Sequence, residues 1–212
     1  MPASVAAMFI TLEGIDRSGK STQAAMLAEA LGPATVLLRE PGGTEMGERV
    51  RAMLKDPELE LDPRAELLLF CAARAELCAR VVAPARADGT DVVCDRFVDS
   101  TAAYQGGARG LGIEMVEGLN AVAAARALPD LTILLRIDPA EAERRGQLRL
   151  AAGAPDGSDR FEVEGLDFQE RVAEAYEELA ARHRDRIVVI EAEGEPAEVH
   201  RGIMDVVEGR CP

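Results

Sequence analysis

Five short apolar runs punctuate the chain: "MFITLE" at 8–13, "ATVLLR" at 34–39, "DVVCD" at 91–95, "LTILLRI" at 131–137 and "RIVVIE" at 186–191. They are nearly continuous in Val, Ile and Leu rather than alternating, which is the pattern of strands buried on both faces of a parallel sheet. Helical patterns lie between them. "TQAAMLAEAL" at 22–31 follows the first run, and "DPRAELLLFCAARAELCARVVAPA" at 62–85 opens with Asp62 as N-cap and Pro63 at the first helical position. "DPAEAERR" at 138–145 starts on Asp138, Pro139 and Glu141 in capping-box fashion, and "EPAEVHRGIMDVVEG" at 195–209 closes the chain as an amphipathic helix. Strands alternating with helices predict an α/β fold, a five-stranded parallel sheet with helices on both faces. Gly146 to Arg160, "GQLRLAAGAPDGSDR", sustains no period and predicts a loop, a candidate lid. No repeat or linker divides the 212 residues, so the expectation is one domain spanning 1–212.

Charge narrows the function. The formal net charge is −14 with acidic residues spread throughout, which argues against nucleic acid or an anionic membrane surface as partner. Any phosphate chemistry must then use a local basic pocket. No segment reaches the roughly 20 uninterrupted apolar residues of a membrane span, and the first nine residues have no basic region of the kind that opens a cleaved signal. The residues before the first run are expected to be a short disordered lead. Cys71, Cys78, Cys94 and Cys211 have no metal-type spacing and read as reduced residues of a cytoplasmic protein. His183 and His200 have no partner visible in the sequence.

The first strand leads into "GIDRSGKS", which satisfies G-x-x-x-x-G-K-[ST] from Gly14 to Ser21 and is followed by a helix. Glycines let successive backbone N–H groups turn inward around a phosphate, and a helix N-terminus adds further donors. Gly14, Ile15, Asp16, Arg17, Ser18, Gly19, Lys20, Ser21 and Thr22 therefore read as the cradle of a nucleoside triphosphate. Lys20 would neutralise the β and γ oxygens and Ser21 would coordinate Mg²⁺. Arg17, inside the loop, can reach the γ oxygens as an arginine finger supplied in cis. With this motif the expected architecture is the three-layer P-loop NTPase type.

A second constellation follows the third strand, "DVVCDRFVDSTAAYQGGARGLG". Asp95 stands at a strand's C-terminal end, where ligands bind in open α/β sheets, and reads as a holder of the Mg²⁺ water shell or an aid in aligning the acceptor. Arg96 beside it suggests an acceptor that is itself an anion. "REPGGT" after the second strand fits the acceptor side. Phe70 and Arg74, four residues apart, share a helix face from which a ring and a guanidinium can stack on and hydrogen-bond to a base.

In "LEGIDRSGKSTQ", "REPGGT", "DRFVDSTAAYQG" and "DRFEVEGLDFQERV" the chain resembles the thymidylate kinases, from about Phe9 to Ile203. The resemblance implies an ATP-dependent kinase of dTMP, a homodimer, working with Mg²⁺ in the supply of dTTP. It implies that Arg74 and Arg96 hold the thymidylate, that Phe70 stacks on thymine, and that Asp16 lies near the deoxyribose. Ser100, Tyr104 and Gln105 match the stretch recognising base and sugar, where a tyrosine crowds the place of a ribose 2′-hydroxyl. Glu40, Pro41 and Arg51 match the part shaping the acceptor side, and Arg144, Arg145, Arg149 and Arg160 fall in or beside the lid, with Arg145 and Arg149 on the ATP side. The family carries its transition-state arginine either in the P-loop or in the lid, and this sequence offers both. Two other readings stay open: a related kinase acting on UMP or AMP, and a catalytically silent nucleotide-binding module. A GTPase switch is disfavoured by the absence of an N-K-x-D motif.

Overall fold

The computed structural model describes residues 7–125, 127–152, 161 and 164–210, without the side chain of Arg149. The expected sheet is present: β1 (Phe9–Glu13), β2 (Val36–Arg39), β3 (Val92–Asp95), β4 (Leu131–Arg136) and β5 (Ile187–Glu191), all parallel in the order β2-β3-β1-β4-β5. Every residue of β1 is buried, as its unbroken apolar pattern requires. The connections leaving the neighbours β1 and β3 run in opposite directions, to β2 and to β4. A crevice therefore opens beyond their C-terminal ends.

Helices cover both faces. On one, α1 (Lys20–Leu31) and α9 (Pro196–Arg210) bury Ala24, Leu27, Val199 and Ile203 against Ile10, Leu12 and Ile133. On the other lie α3 (Pro63–Leu77), α6 (Ile113–Ala124) and α8 (Leu166–Arg182), where Val172, Tyr176 and Leu179 pack with Leu134 and Val116. The short α2 (Glu45–Lys55) starts on Thr44, whose hydroxyl accepts from Gly47 N at 2.9 Å.

Three boundaries differ from the sequence expectation. The first helix begins at Lys20 rather than Thr22, so the lysine itself is in the opening turn. The long segment 62–85 is not one α-helix: α3 passes through a π-helical turn, Cys78–Val82, into α4 (Ala83–Ala87). The supposed loop from Gly146 begins as helix, because α7 spans Pro139–Ala151; its residues Gln147 to Ala151 are good helix formers that carry the helix past the glycine. Gly146 is thus inside a helix, where glycine is about 1 kcal/mol less favourable than alanine. Residues 153–160 of the candidate lid, with Arg160, and the N-terminal six residues lie outside the described residues, as does Cys211. Cys71, Cys78 and Cys94 are buried and unpaired, in agreement with a reduced core. His183, contrary to expectation, has a partner: its Nε2 lies 2.5 Å from Glu117 Oε1.

Candidate active site

The cleft at the strand ends is large, about 1370 Å³, and its walls bring together most of the residues that the sequence singled out. The loop from Gly14 to Gly19 joins β1 to α1. Gly14 has φ +140°, and a Cβ there would stand 2.5 Å from the carbonyl oxygen of Leu135, so no other residue fits. Lys20 Nζ is folded over this loop, donating to Ile15 O at 2.5 Å and Ser18 Oγ at 3.3 Å. Burial, with Arg96 close by, pushes its ammonium down to about 8.

Ser21 and Asp95, the two residues expected to hold Mg²⁺, meet in the cleft. Ser21 Oγ donates to Asp95 Oδ2 at 2.5 Å, while the buried Asp95 Oδ1 has no partner among the described residues. A hydroxyl and an orphaned carboxylate oxygen suit Mg²⁺, which takes few protein ligands and completes its shell with phosphates and water.

Arg96 follows Asp95 with φ +71°, and Arg17 has φ +65°. For residues with a Cβ this left-handed backbone is uncommon and costs of order 1 kcal/mol, so two of the site's cations are aimed by strained backbone. Four of the five N–H donors of Arg96 are engaged, with Gly14 O and Ser100 Oγ at 3.1 Å, Tyr104 Oη at 3.2 Å, and Asp16 Oδ1. Its guanidinium also lies 5.0 Å from the centre of the Tyr104 ring. Asp16 is further held by Gln169 Nε2 at 2.9 Å; although burial opposes its charge, Arg96, Lys20 and Gln169 together keep its carboxyl below the usual range.

The base side of the cleft is built on a buried ion pair. Arg74, 1% exposed, donates to Glu40 Oε2 through Nε at 2.9 Å and Nη2 at 2.6 Å, and to Asn120 Oδ1, Thr101 Oγ1 and Phe97 O. Glu40 Oε1 is buried with no partner among the described residues, and burial pushes this carboxyl up to about 7 against the pull of Arg74. Phe70 lines the cleft, with its ring 6.0 Å from that of Phe161, which also packs 6.3 Å from Tyr104. Tyr104 and Gln105 sit on a π-helical segment, Ala102–Ala108, that continues α5 (Val98–Thr101). Such turns recur at functional sites. Gln105 Nε2 donates to the buried Glu66 at 2.7 Å; since a carboxylate only accepts, the amide is fixed with its nitrogen inward. Arg109 clamps the same Glu66 at 3.1 Å. Arg51 reaches Pro41 O at 2.9 Å, and the Glu40–Pro41 peptide is cis.

A family model described as thymidylate kinase matches residues 12–203. Among curated relatives, a thymidylate kinase of Desulfosudis oleivorans is 46% identical over 197 residues, covering 91% of this chain and 92% of its own. One of Chlorobaculum tepidum is 42% identical over 211 residues, covering 96% and 98%. The chain belongs to the thymidylate kinase family. The crystal structure of a thymidylate kinase from Ehrlichia chaffeensis superposes with a TM-score of 0.77 at 33% identity, covering 95% of this chain and 98% of that one. The P-loop-type parallel sheet is shared with it.

Seen as a thymidylate kinase, the chain places Asp16, Arg17, Gly19, Lys20, Ser21, Thr22, Glu40, Pro41, Arg51, Phe70, Arg74, Asp95, Arg96, Ser100, Tyr104, Gln105 and Arg145 on one cleft. Gly14, Ile15 and Ser18 belong to its loop. The arginines of α7 divide. Arg144 pairs with Glu141 at 2.6 Å, and Arg145 donates to Glu141 and, at 2.9 Å, to Glu193 O. For Arg149 the backbone is helical and the side chain lies outside the described residues.

Several residues that shape this thymidylate kinase cleft left little trace in the sequence. Glu13, at the end of β1, is fully buried and accepts from Phe97 N at 2.7 Å, Ser100 Oγ at 2.5 Å and Tyr176 Oη at 2.8 Å; burial and nearby Asp99 hold its carboxyl above the usual range. Gln169 and Glu66 hold Asp16 and Gln105 from elements more than thirty residues away. The turn Glu193 to Pro196 forms the far wall, tied to α1 by Gln23 Nε2, which donates to Pro196 O at 2.8 Å. Glu13 and Gln23 fall within "LEGIDRSGKSTQ" and Gln169 within "LDFQERV", but nothing local shows which partners they hold.

Proposed function

We propose that this protein transfers the γ-phosphoryl group of ATP to the phosphate of dTMP, giving dTDP. The observation that carries the reading is one cleft with a P-loop lysine and a Ser21–Asp95 metal pair at one end and, at the other, an arginine beside Tyr104, Phe70 and the Arg74–Glu40 pair. Two polyanions must meet there, and in-line transfer needs cations to screen them rather than a side-chain nucleophile. Ser21 and Asp95 would hold Mg²⁺, which when bound would supply positive charge against the phosphates.

Each residue has a role in that transfer. The N–H groups around Gly14–Thr22 and Lys20 hold the triphosphate, and Arg96 faces the acceptor phosphate. We assign the transition-state arginine to Arg17, which stands in the phosphate loop itself and lines the cleft. Phe70 stacks on the base, with Arg74 and Gln105 reading its edge. With its nitrogen spent on Glu66, Gln105 offers its oxygen to the imide N–H of thymine, which cytosine lacks. Asp16, Ser100 and Tyr104 line the sugar, with Arg51 and Pro41 closing the acceptor wall. Arg145 belongs to the ATP side, where it donates to Glu193 O, and the same reading is extended to Arg149.

The protein is read as a cytoplasmic homodimer acting in dTTP supply. Buried, unpaired cysteines accord with a reducing compartment, and α3 and α6 expose Leu68, Met115 and Val122 as apolar dimer-face candidates. Light scattering on the purified protein tests the dimer. ADP release with a panel of dTMP, dUMP, UMP, dCMP and AMP tests the activity. dTMP should be the best acceptor, with UMP far poorer because of Tyr104; equal turnover of UMP or AMP would overturn the assignment, and no turnover of any would indicate a silent module.

A further inference from the structure

Gly146 is buried inside α7, on the side of that helix that meets the phosphate loop. A Cβ built on it would stand 2.4 Å from Arg17 Nε and 2.6 Å from Arg17 Cδ and Cζ. Real Cβ atoms do not approach so closely, so the Arg17 side chain lies directly on the bare helix backbone. Its root is fixed as well, by the left-handed backbone at φ +65° within the loop. The arginine is therefore held at both ends, by loop conformation and by a helix that has given up a side chain. Neighbouring positions on α7 show what the helix otherwise prefers: Ala142, Glu143, Arg144, Arg145, Gln147 and Leu148, all good helix formers. A glycine among them weakens the helix, and Arg17 is the group that occupies the space gained.

We propose that Gly146 is a positioning residue for phosphoryl transfer: its missing side chain is what lets Arg17 lie in the direction of the transferring group. The inference rests on the reading of Arg17 as the transition-state cation. Arg17 does not need to be displaced far for this to matter, since misplacement of a catalytic group by about 1 Å can cost on the order of 100-fold. A mere packing role for Gly146 makes a different prediction, because the atoms that a new methyl group would strike belong to a flexible side chain and not to backbone.

The test is Gly146→Ala, with Arg17→Ala and the double variant, measured for kcat, both KM values and melting temperature. Alanine favours the helix, so the expected result is a melting temperature unchanged or raised together with a kcat reduced roughly 10- to 100-fold and a KM for dTMP within about twofold of the parent. The double variant should be no slower than Arg17→Ala alone, because the two substitutions remove one effect. Parental kcat in Gly146→Ala beside a slow Arg17→Ala overturns the inference while leaving the proposed reaction intact. Parental kcat in Arg17→Ala overturns both the arginine assignment and the inference. A melting temperature that falls along with kcat assigns Gly146 to packing and also overturns it.

Discussion

Lys20 is 6% exposed, and its ammonium is lowered to about 8 by burial and by Arg96. Its folded value lies below the unfolded one, so between about 8 and 10.5 the folded protein holds fewer protons and this group's contribution to stability rises with pH. Phosphate oxygens favour the charged form. Binding of an ATP analogue at pH 8 to 8.5 should therefore take up protons, seen as a calorimetric enthalpy that varies with the ionisation enthalpy of the buffer; no buffer dependence would contradict the burial argument. Glu40 has the opposite sign. Its carboxyl is raised to about 7, so its stabilising contribution is complete below about 4.5 and is lost as pH rises through 7. The stability of the parent relative to Glu40→Gln, by denaturant unfolding, should decline across that window. A flat difference would mean that Arg74 holds the carboxylate ionised throughout. Single residues were the least legible scale in the sequence: Gly14, Lys20 and Ser21 are announced by a local motif, whereas Glu13, Glu66 and Gln169 act through partners 39 to 163 positions away.

Among the elements, strands were easier to read than helix interiors. The inner strands β1, β3 and β4 are almost wholly buried and advertise themselves as continuous apolar runs; the edge strands β2 and β5 are half-exposed, yet their runs also became strands. A π turn changes hydrogen-bond spacing without altering composition, so the breaks at Cys78–Val82 and Ala102–Ala108 had no sequence signal. The end of α7 is hidden for a related reason, because Gly146 resembles a stop signal yet lies inside the helix against Arg17. α1 has two tasks: its N-terminus closes the phosphate loop, and Gln23 in its first turns grips the Glu193–Pro196 turn. Replacing Gln23 by alanine should loosen the ATP side alone, raising KM for ATP several-fold while KM for dTMP stays unchanged; parallel changes in both would refute the division. Glu66→Gln frees the Gln105 amide to turn over. The variant should lose discrimination between dTMP and dCMP by about 10-fold or more, the effect of one misdirected hydrogen bond of about 1.5 kcal/mol.

Over the whole molecule acidic residues outnumber basic ones, but along the cleft the balance reverses, with nine lysine and arginine side chains against seven carboxylates among its described lining. Arg17, Lys20, Arg51, Arg96, Arg144 and Arg145 line one cleft of a chain whose net charge is −14. The contact field within the cleft attracts phosphate, but the far field of the molecule repels it. The encounter between enzyme and nucleotide is then opposed at long range and rewarded only on arrival. Added salt should speed capture of ATP and dTMP at low ionic strength, the reverse of the behaviour of a steered enzyme, and stopped-flow association rates that fell steadily with salt would show the cleft's own field reaching beyond its mouth.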